Sequence, residues 1–401
     1  MRILCSGGWG YGNLGDDLIL QGTLNGLQKA FPKAELTVAS FSPTDTNSIN
    51  NVHSIPSIRN LCLSSARTGL ETVVRYGVTY ACLSQKVRKN TLLLSQIHDF
   101  YDGYDLFVQA GGGYFNSIFW QAFPWYALEL SGAIDTNAKV AVVGQTMGPF
   151  KLVGKQIAQI LRDIQFIYVR DRSSLALLRG LCVSRARMCA DSAFLSEPKV
   201  VGLREKHPDH VVAFLSPGRL SVAGQNVHVN MRSFERVKKN LIAAIGASKA
   251  TDHPIIFTVS TLDNRSWLQC QDLAQKMRAA RSNVDVEVVR PTSLRDFFSV
   301  IDGAKLCIST NLHPLILATM LHVPIVGVAT HAKTIDFMNA YGQSDRAIPL
   351  HRLERGGSVL SDIISGALDL SEEKLSLFQA YAAKANKDAF RPFREIAEAL
   401  N

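Results

Sequence analysis

The chain has 401 residues, 47% of them apolar and 19% charged, with a formal net charge of +9. That length favours two domains, and that balance excludes an extensively disordered chain. The basic residues are scattered and no common nucleic-acid signature accompanies them, so an anionic small molecule or an acidic membrane surface fits the charge and no nucleic-acid partner is expected.

Seven cysteines without a Cys-x-x-Cys pair point to a reducing compartment with buried free thiols. The amino terminus reaches its glycines too soon for a signal peptide. The longest apolar stretch, residues 314–329, is broken by His322 and Pro324 and is too short to span a bilayer. The expectation is a cytoplasmic protein, with peripheral contact at the inner face of the membrane left open. No metal-ligand spacing is visible, so no metal is expected.

Residues 2–6 read as a short buried strand, followed by Gly7-Gly8-Trp9-Gly10-Tyr11-Gly12-Asn13-Leu14-Gly15-Asp16-Asp17. Leu18, Leu20, Leu24, Leu27 and Phe31 then recur at helical spacing until Pro32 stops the run. The glycines let the backbone turn sharply and approach a ligand. An acidic pair where pyrophosphate would lie sets this apart from the dinucleotide fingerprint. Asp16 and Asp17 either satisfy the helix N-terminus or act on substrate, and Asn13 and Asp16 are candidates for binding a substrate hydroxyl. Residues 36–41 form the second expected strand and 43–51 a polar loop. The helix-like insertion between Ser54 and Phe100, where Lys86, Arg88 and Lys89 mix with apolar residues, offers either a solvated face or a surface for acceptor or membrane.

Residues 105–110 are a buried strand running into Gly111-Gly112-Gly113-Tyr114-Phe115-Asn116, read as a ligand loop in preference to close backbone packing. Trp120, Phe123, Trp125 and Tyr126 serve either a sugar ring or the core. A strand over 139–143 leads to Gly144-Gln145-Thr146-Met147-Gly148-Pro149-Phe150. The next strand ends in Arg170-Asp171-Arg172-Ser173-Ser174, where Ser173 is expected to cap a helix and Arg170 either pairs with Asp171 or clamps an anion. Residues 188–194, with Asp191 in their turn, close the first domain.

Residues 196–208 read as a linker. A strand over 210–215 ends at Ser216-Pro217-Gly218-Arg219, and helix 234–245, strand 255–259, helix 267–280 and strand 284–289 follow, with Ser293 capping a helix over 294–301. Residues 304–327 carry the strongest signal. An apolar run exits through Ser309-Thr310-Asn311, a helix follows, and Val323-Pro324-Ile325-Val326-Gly327 makes a second strand, the parallel crossover unit of an α/β fold. Asn311 is expected to cap that helix, with Pro314 in its first turn. Free N–H groups there would face the strand's carboxyl end, where phosphates and carboxylates bind in open α/β sheets. His313 stands in this turn, either as an acid/base or bonding a carbonyl. His322 reads as a cation at the helix C-terminus. Lys333 lies just past another strand, and two helical segments flanking Pro392 end the chain.

Taken together, Gly12-Asn13-Leu14-Gly15-Asp16, Gly111-Gly112-Gly113, Gly144-Gln145-Thr146-Met147-Gly148-Pro149, Val169-Arg170-Asp171-Arg172-Ser173-Ser174, Asp191-Ser192-Ala193-Phe194, Ser309-Thr310-Asn311-Leu312-His313, Pro324-Ile325-Val326-Gly327 and Lys333 resemble the polysaccharide pyruvyltransferase family, in family order. The resemblance implies an α/β fold similar to that of GT-B glycosyltransferases, two Rossmann-like domains facing a cleft. Residues 1–196 would form the acceptor side and 209–350 the donor side, with helices over 351–401 crossing back to the first domain. It implies phosphoenolpyruvate as donor substrate without a further cofactor. The acceptor would be a sugar of a polysaccharide or lipid-linked precursor, and the product a ketal.

On this reading His313 is the general acid/base. Arg170, Ser309, Thr310, Asn311, Lys333 and Arg219 bind the donor, and Asn13, Asp16, Gly112, Gly113, Asn116 and Gln145 bind the acceptor. The family usually carries Arg where Asn311 stands, and often Asp where Asn116 stands. Asn cannot replace a guanidinium charge, so Arg170, Arg219 or Lys333 would take over, or the donor differs. The alternatives are a GT-B-type glycosyltransferase using a nucleotide sugar and a noncatalytic glycan-binding relative.

Overall fold

Near-continuous apolar strands, rather than alternating ones, mark parallel sheets covered on both faces, and the computed structural model holds two of them. It describes residues 1–64, 71, 77–81, 83, 99–119, 122–151, 153–197, 209–216 and 231–400. The chain divides into two units. Met1–Tyr11, Ile19–Ser196 and Lys387–Asn401 form the first; Gly12–Leu18 and Glu197–Asn386 form the second. The segment Gly12–Leu18 thus belongs with the later part of the chain, while Lys387–Asn401 belongs with the earlier part.

In the first unit the strands are β1 (Arg2–Ser6), β2 (Glu35–Ser40), β3 (Ser54–Pro56), β4 (Leu106–Gln109), β5 (Gly112–Phe115), β6 (Lys139–Met147), β7 (Phe166–Val169) and β8 (Arg187–Met188). Among the described residues their order is β3-β2-β1-β4-β6-β7-β8, with β5 beside β6 and every pairing parallel. The second unit carries β9 (Val211–Phe214), β10 (Ile255–Thr258), β11 (Val286–Val289), β12 (Leu306–Ser309), β13 (Ile325–Ala329) and β14 (Ala347–Pro349) in the order β11-β10-β9-β12-β13-β14, again parallel. Strand order therefore reverses between β1 and β4 in one unit and between β9 and β12 in the other. Those reversals open a crevice at the strands' carboxyl ends.

Alternation along β1 splits the first core between the faces of its sheet. Ile3 and Cys5 join Leu20, Leu27, Val108, Phe393 and Ile396, whereas Leu4 joins Phe107, Val142, Phe123 and Leu130. In the second unit Val211, Phe257, Ile308 and Val328 pack with Leu241, Ile245, Leu273 and Leu360. Cys5, Cys189 and Cys307 lie inside these layers, and burial pushes each thiol up, Cys189 to about 12. They are packing residues.

Several local expectations are revised. Residues 43–51 are largely a helix, Pro43–Asn50, because Pro43 fits its first turn and the Ser42 hydroxyl donates to Asp45 Oδ2 at 2.6 Å. Gly112–Phe115 is a strand rather than a loop, and β6 runs on to Met147 through an irregularity between Val143 and Gln145, where Gly144 takes φ +75. Asp171, not Ser173, caps the helix Arg172–Gly180, accepting the Ser174 N–H at 2.8 Å. The carboxylate is the stronger acceptor at a helix N-terminus. One helix, Glu372–Leu400, runs through Pro392. Its buried Ala389, Phe393 and Ile396 supply the packing that offsets one lost backbone bond.

Gly22 allows the helix Leu14–Ala30 to touch backbone: a Cβ there would lie 1.8 Å from the Ser192 carbonyl oxygen. Gly22→Ala should destabilise the protein by about 1–3 kcal/mol. At Gly180 a Cβ would meet nothing within 4 Å, so Gly180→Ala should be neutral or mildly stabilising, with urea titrations measuring both variants. Equal effects at the two positions would refute this packing.

Candidate active site

In the second unit the reversal between β9 and β12 is stitched by hydroxyls. Thr310 donates its N–H to the Phe214 carbonyl at 2.9 Å, and its Oγ1 donates to the same carbonyl at 3.2 Å while accepting the Ser216 N–H at 2.9 Å. Ser309 Oγ donates to the Asn311 carbonyl at 2.8 Å and accepts the Asn311 N–H at 2.9 Å. Both side chains are buried. Ser309 and Thr310 thus hold the shape of the turn. Asn311 occupies the N-cap position of the helix Leu312–Met320 but does not cap it, because its Nδ2 donates to Ser260 Oγ at 3.1 Å. The expected cap is corrected.

His313 stands in the first turn of that helix, against the glycine-rich segment from the start of the chain. A Cβ on Gly15 would lie 2.1 Å from His313 Nδ1 and 2.6 Å from Cγ, so no other residue fits without moving the ring. The segment is pinned by backbone bonds, Leu14 N–H to the Ser260 carbonyl at 3.0 Å and Leu262 N–H to the Gly12 carbonyl at 2.7 Å, beside an antiparallel bridge between Asn13 and Thr261. Asn13 Oδ1 accepts the Gly15 N–H at 3.1 Å and its Nδ2 donates to Asp16 Oδ2 at 2.7 Å. Asn13, Asp16 and His313 are therefore brought to one edge.

Past β13, the Thr330 hydroxyl donates to the Thr310 carbonyl at 3.3 Å, and His331 takes the N-cap position of the helix Ala332–Ala340 with Lys333 in its first turn. Burial, with the Lys333 charge adding to it, pushes the His331 imidazole down to about 4, so it is neutral at neutral pH. His331 was not singled out from the sequence, although Thr330-His331-Ala332-Lys333 repeats the strand-to-helix corner that carries His313. Arg219 lies outside the described residues, as does Trp120 and most of the basic insertion.

The first unit's edge is built differently. Glu129, on the helix Phe123–Ile134, is 1% exposed and accepts the Ser6 hydroxyl at 2.6 Å at the end of β1. Burial raises its carboxyl to about 7, against bonds from Ser6 and Gln109 that lower it. Around it, Gln109 Nε2 donates to the Tyr126 carbonyl at 2.9 Å and the Tyr126 hydroxyl donates to the Gly7 carbonyl at 3.1 Å. The Tyr114 and Tyr126 rings lie 4.1 Å apart. A lone Glu in the apolar run Phe-Pro-Trp-Tyr-Ala-Leu-Glu-Leu was the signal that sequence reading passed over.

Gln145, fully buried, donates to the Tyr114 hydroxyl at 2.6 Å and to the Ala110 carbonyl. At Gly112, φ is +156 and a Cβ would meet the Tyr114 ring at 2.2 Å. Asn116 is buried, its Nδ2 donating to the Gly113 carbonyl at 2.7 Å and its Oδ1 accepting the Ile118 N–H at 3.0 Å. Gln145 and Asn116 thus hold the backbone at the two ends of β5, and Gly112 leaves room for the Tyr114 ring. Arg170 pairs with Asp191 rather than Asp171 and donates from Nε to Thr146 Oγ1 at 2.9 Å, its side chain 3% exposed. Its charge is balanced inside the unit. Phe123 and Trp125 are buried core residues.

Among the described residues no group of three His, Cys, Asp or Glu could hold a metal, and no helix is long and apolar enough to cross a membrane.

A carboxyl raised on folding stabilises the fold below its unfolded value of 4.5 and loses that contribution as pH climbs through about 7. Glu129→Gln should gain stability relative to the wild type between pH 5 and pH 8, by up to on the order of 3 kcal/mol. Urea titrations at both pH values measure it. A difference independent of pH would contradict the buried acid.

The profile described as polysaccharide pyruvyl transferase matches residues 13–332. Amylovoran biosynthesis protein AmsJ of Erwinia amylovora is 21% identical over 410 residues, covering 93% of this chain and 93% of its own. Anabaena HepE in complex with UDP-glucose is similar in structure with a TM-score of 0.60 at 11% identity, covering 100% of this chain and 99% of that one. The UDP-GlcNAc 2-epimerase of Neisseria meningitidis bound to UDP-GlcNAc gives 0.55 at 10% identity, covering 100% and 99%. At such identity the likeness is one of fold, two parallel-sheet α/β domains of the GT-B type. The chain is a transferase of polysaccharide biosynthesis, and with the profile spanning most of its length it belongs to the polysaccharide pyruvyl transferase family.

Proposed function

We propose that the protein transfers pyruvate from phosphoenolpyruvate to a sugar of a polysaccharide or its lipid-linked precursor, closing a ketal across two hydroxyls. The observation that carries this reading is His313 in the first turn after β12, set against Gly15 of the glycine-rich segment. The donor's phosphate and carboxylate lie against the first-turn N–H groups of the helix Leu312–Met320 and the Lys333 ammonium, at a turn that Ser309, Thr310 and Asn311 shape. Arg170, already balanced by Asp191, braces the first unit rather than binding donor.

His313 delivers a proton to the donor's methylene carbon, and the positive charge that develops at the adjacent carbon is met by an acceptor hydroxyl. The proton of that hydroxyl returns to His313. The bond from carbon to phosphate oxygen then breaks, the second hydroxyl closes the ring, and its proton leaves on phosphate. One hydroxyl proton ends on the new methyl group and the other on phosphate, so the reaction as written needs no redox or metal step. Asn13 and Asp16 receive the acceptor hydroxyls. In the first unit, Gly112, Gly113, Gln145 and Asn116 are the acceptor-side residues, Gln145 and Asn116 acting through the backbone they hold. With a lipid-linked acceptor the protein would work at the cytoplasmic face of a membrane.

A second reading, glycosyl transfer from a nucleotide sugar, is favoured by the uncharged Asn311 and by the UDP-sugars named with the structural relatives. Calorimetric titration with phosphoenolpyruvate and with UDP-sugars separates the two readings. The proposal requires binding of the first.

His313→Ala should lower pyruvyl transfer by at least about 100-fold with a nearly unchanged melting temperature. Gly15→Ala, which displaces the same ring, should act in the same direction. Lys333→Met should raise KM for phosphoenolpyruvate about tenfold, a loss of about 1.4 kcal/mol of binding. Undiminished turnover by His313→Ala would remove the imidazole from the mechanism.

A further inference from the structure

At the carboxyl edge of the first unit's sheet, two aromatic rings are partly exposed. Tyr11, after β1, is 43% exposed and Phe41, after β2, is 37% exposed; their rings stack 4.3 Å apart at 18°. Exposed aromatic side chains are ordinarily free to rotate, but these are fixed from several sides. The Arg59 guanidinium donates to the Tyr11 hydroxyl at 2.6 Å and lies 5.6 Å and 5.5 Å from the centres of the two rings. Asn60 Nδ2 donates to the Phe41 carbonyl at 2.7 Å. The loop beneath Tyr11 is anchored by buried Trp9, whose Nε1 donates to the Ala39 carbonyl at 2.8 Å. It approaches the β2 exit at Gly10, where φ is +81 and a Cβ would meet Ser40 Oγ and Ser42 N at 2.5 Å.

Rigid rings with a cation beside them suit one chemistry well. The C–H face of a pyranose lies flat on an aromatic ring, and a neighbouring guanidinium bonds its hydroxyls or a ring carboxylate. Preorganisation keeps the entropy lost on binding small. Tyr11 follows β1 and its hydroxyl faces Tyr126 and the buried Glu129, while Phe41 follows β2 on the side away from β4, so the platform flanks the reversal of the first sheet on its β2 side. We infer that Tyr11, Phe41 and Arg59 form a glycan subsite that holds a pyranose ring of the acceptor chain other than the one receiving the pyruvyl group. The identity of that chain as acceptor rests on the proposed function; the glycan site itself does not.

The test uses the full chain and oligosaccharides of three or more sugars released by mild acid from the polysaccharide of the producing cells. Binding is followed by saturation-transfer NMR and calorimetry, with UDP and phosphoenolpyruvate titrated in parallel. Tyr11→Ala and Phe41→Ala should each weaken fragment binding about five- to tenfold and leave phosphoenolpyruvate affinity unchanged, whereas Tyr11→Phe should retain affinity within about twofold. Should Tyr11→Ala lower the melting temperature, Phe41→Leu reads the loss of a ring with the apolar volume kept. Absence of fragment binding by the wild type, or equal binding by both ring-deleted variants, overturns the subsite. Loss of UDP binding with glycan binding intact also overturns it and makes the platform a nucleobase site. A variant that loses glycan affinity while phosphoenolpyruvate binds normally separates this inference from the pyruvyl-transfer reading, which fails instead if the platform binds glycan and phosphoenolpyruvate does not bind.

Discussion

The close approach of Gly15 to the His313 ring is the constraint on which the proposed active edge depends. An imidazole can sit that close to backbone only where a side chain is missing, and the segment Gly12–Leu18 is held there by bonds from the Leu14 N–H to the Ser260 carbonyl and from the Leu262 N–H to the Gly12 carbonyl. Residues from the start of the chain thereby complete the carboxyl edge of the second sheet. A histidine in the first turn of a helix is common chemistry; one fixed between that turn and a glycine has its orientation set before substrate arrives, which is where enzymes gain most from proximity.

Electrostatics assign different tasks to the two sheet edges. In the first unit, charge is consumed internally: Arg170 is buried with Asp191, and Glu129 lies where burial holds its carboxyl near 7. A buried pair of this kind adds little net stability but fixes the geometry of the groups it joins. In the second unit the helix N-terminus after β12 keeps its first turn free of a side-chain cap, Lys333 stands one strand away, and His331 is kept neutral by burial and by Lys333. On the proposed function, the second edge is the one that takes the small anionic donor. The first, with a buried acid and a partly exposed aromatic platform, is the edge to which the proposal gives the sugar acceptor.

Much of this was legible in the residues. Apolar runs ending in glycine or hydroxyl residues marked β1, β4 and β12, a run ending in a charged turn marked β7, and Pro314 with Ser309-Thr310-Asn311 marked the helix after β12. Capping was harder to read, because Asn311 is drawn to Ser260, distant in sequence, and Asp171 outcompetes Ser173. The polar stretch after Pro43 is helical through local bonds that composition does not reveal, and the glycines at 112 and 113 form a strand because β6 bulges to meet them. Arg170 could not be assigned from sequence, since its partner lies twenty-one positions away. Glu129 is a single acid in an apolar run and carries no spacing signal of its own. The association of the first glycine-rich motif with the second sheet is a tertiary fact with no local signature.

The most direct measurement is mass spectrometry of lipid-linked oligosaccharides incubated with the purified protein and phosphoenolpyruvate, with released phosphate counted in the same tube. The account predicts a product heavier by one pyruvyl ketal and one phosphate per product. A product heavier by a hexose when a nucleotide sugar is added instead, with phosphoenolpyruvate untouched, would contradict it.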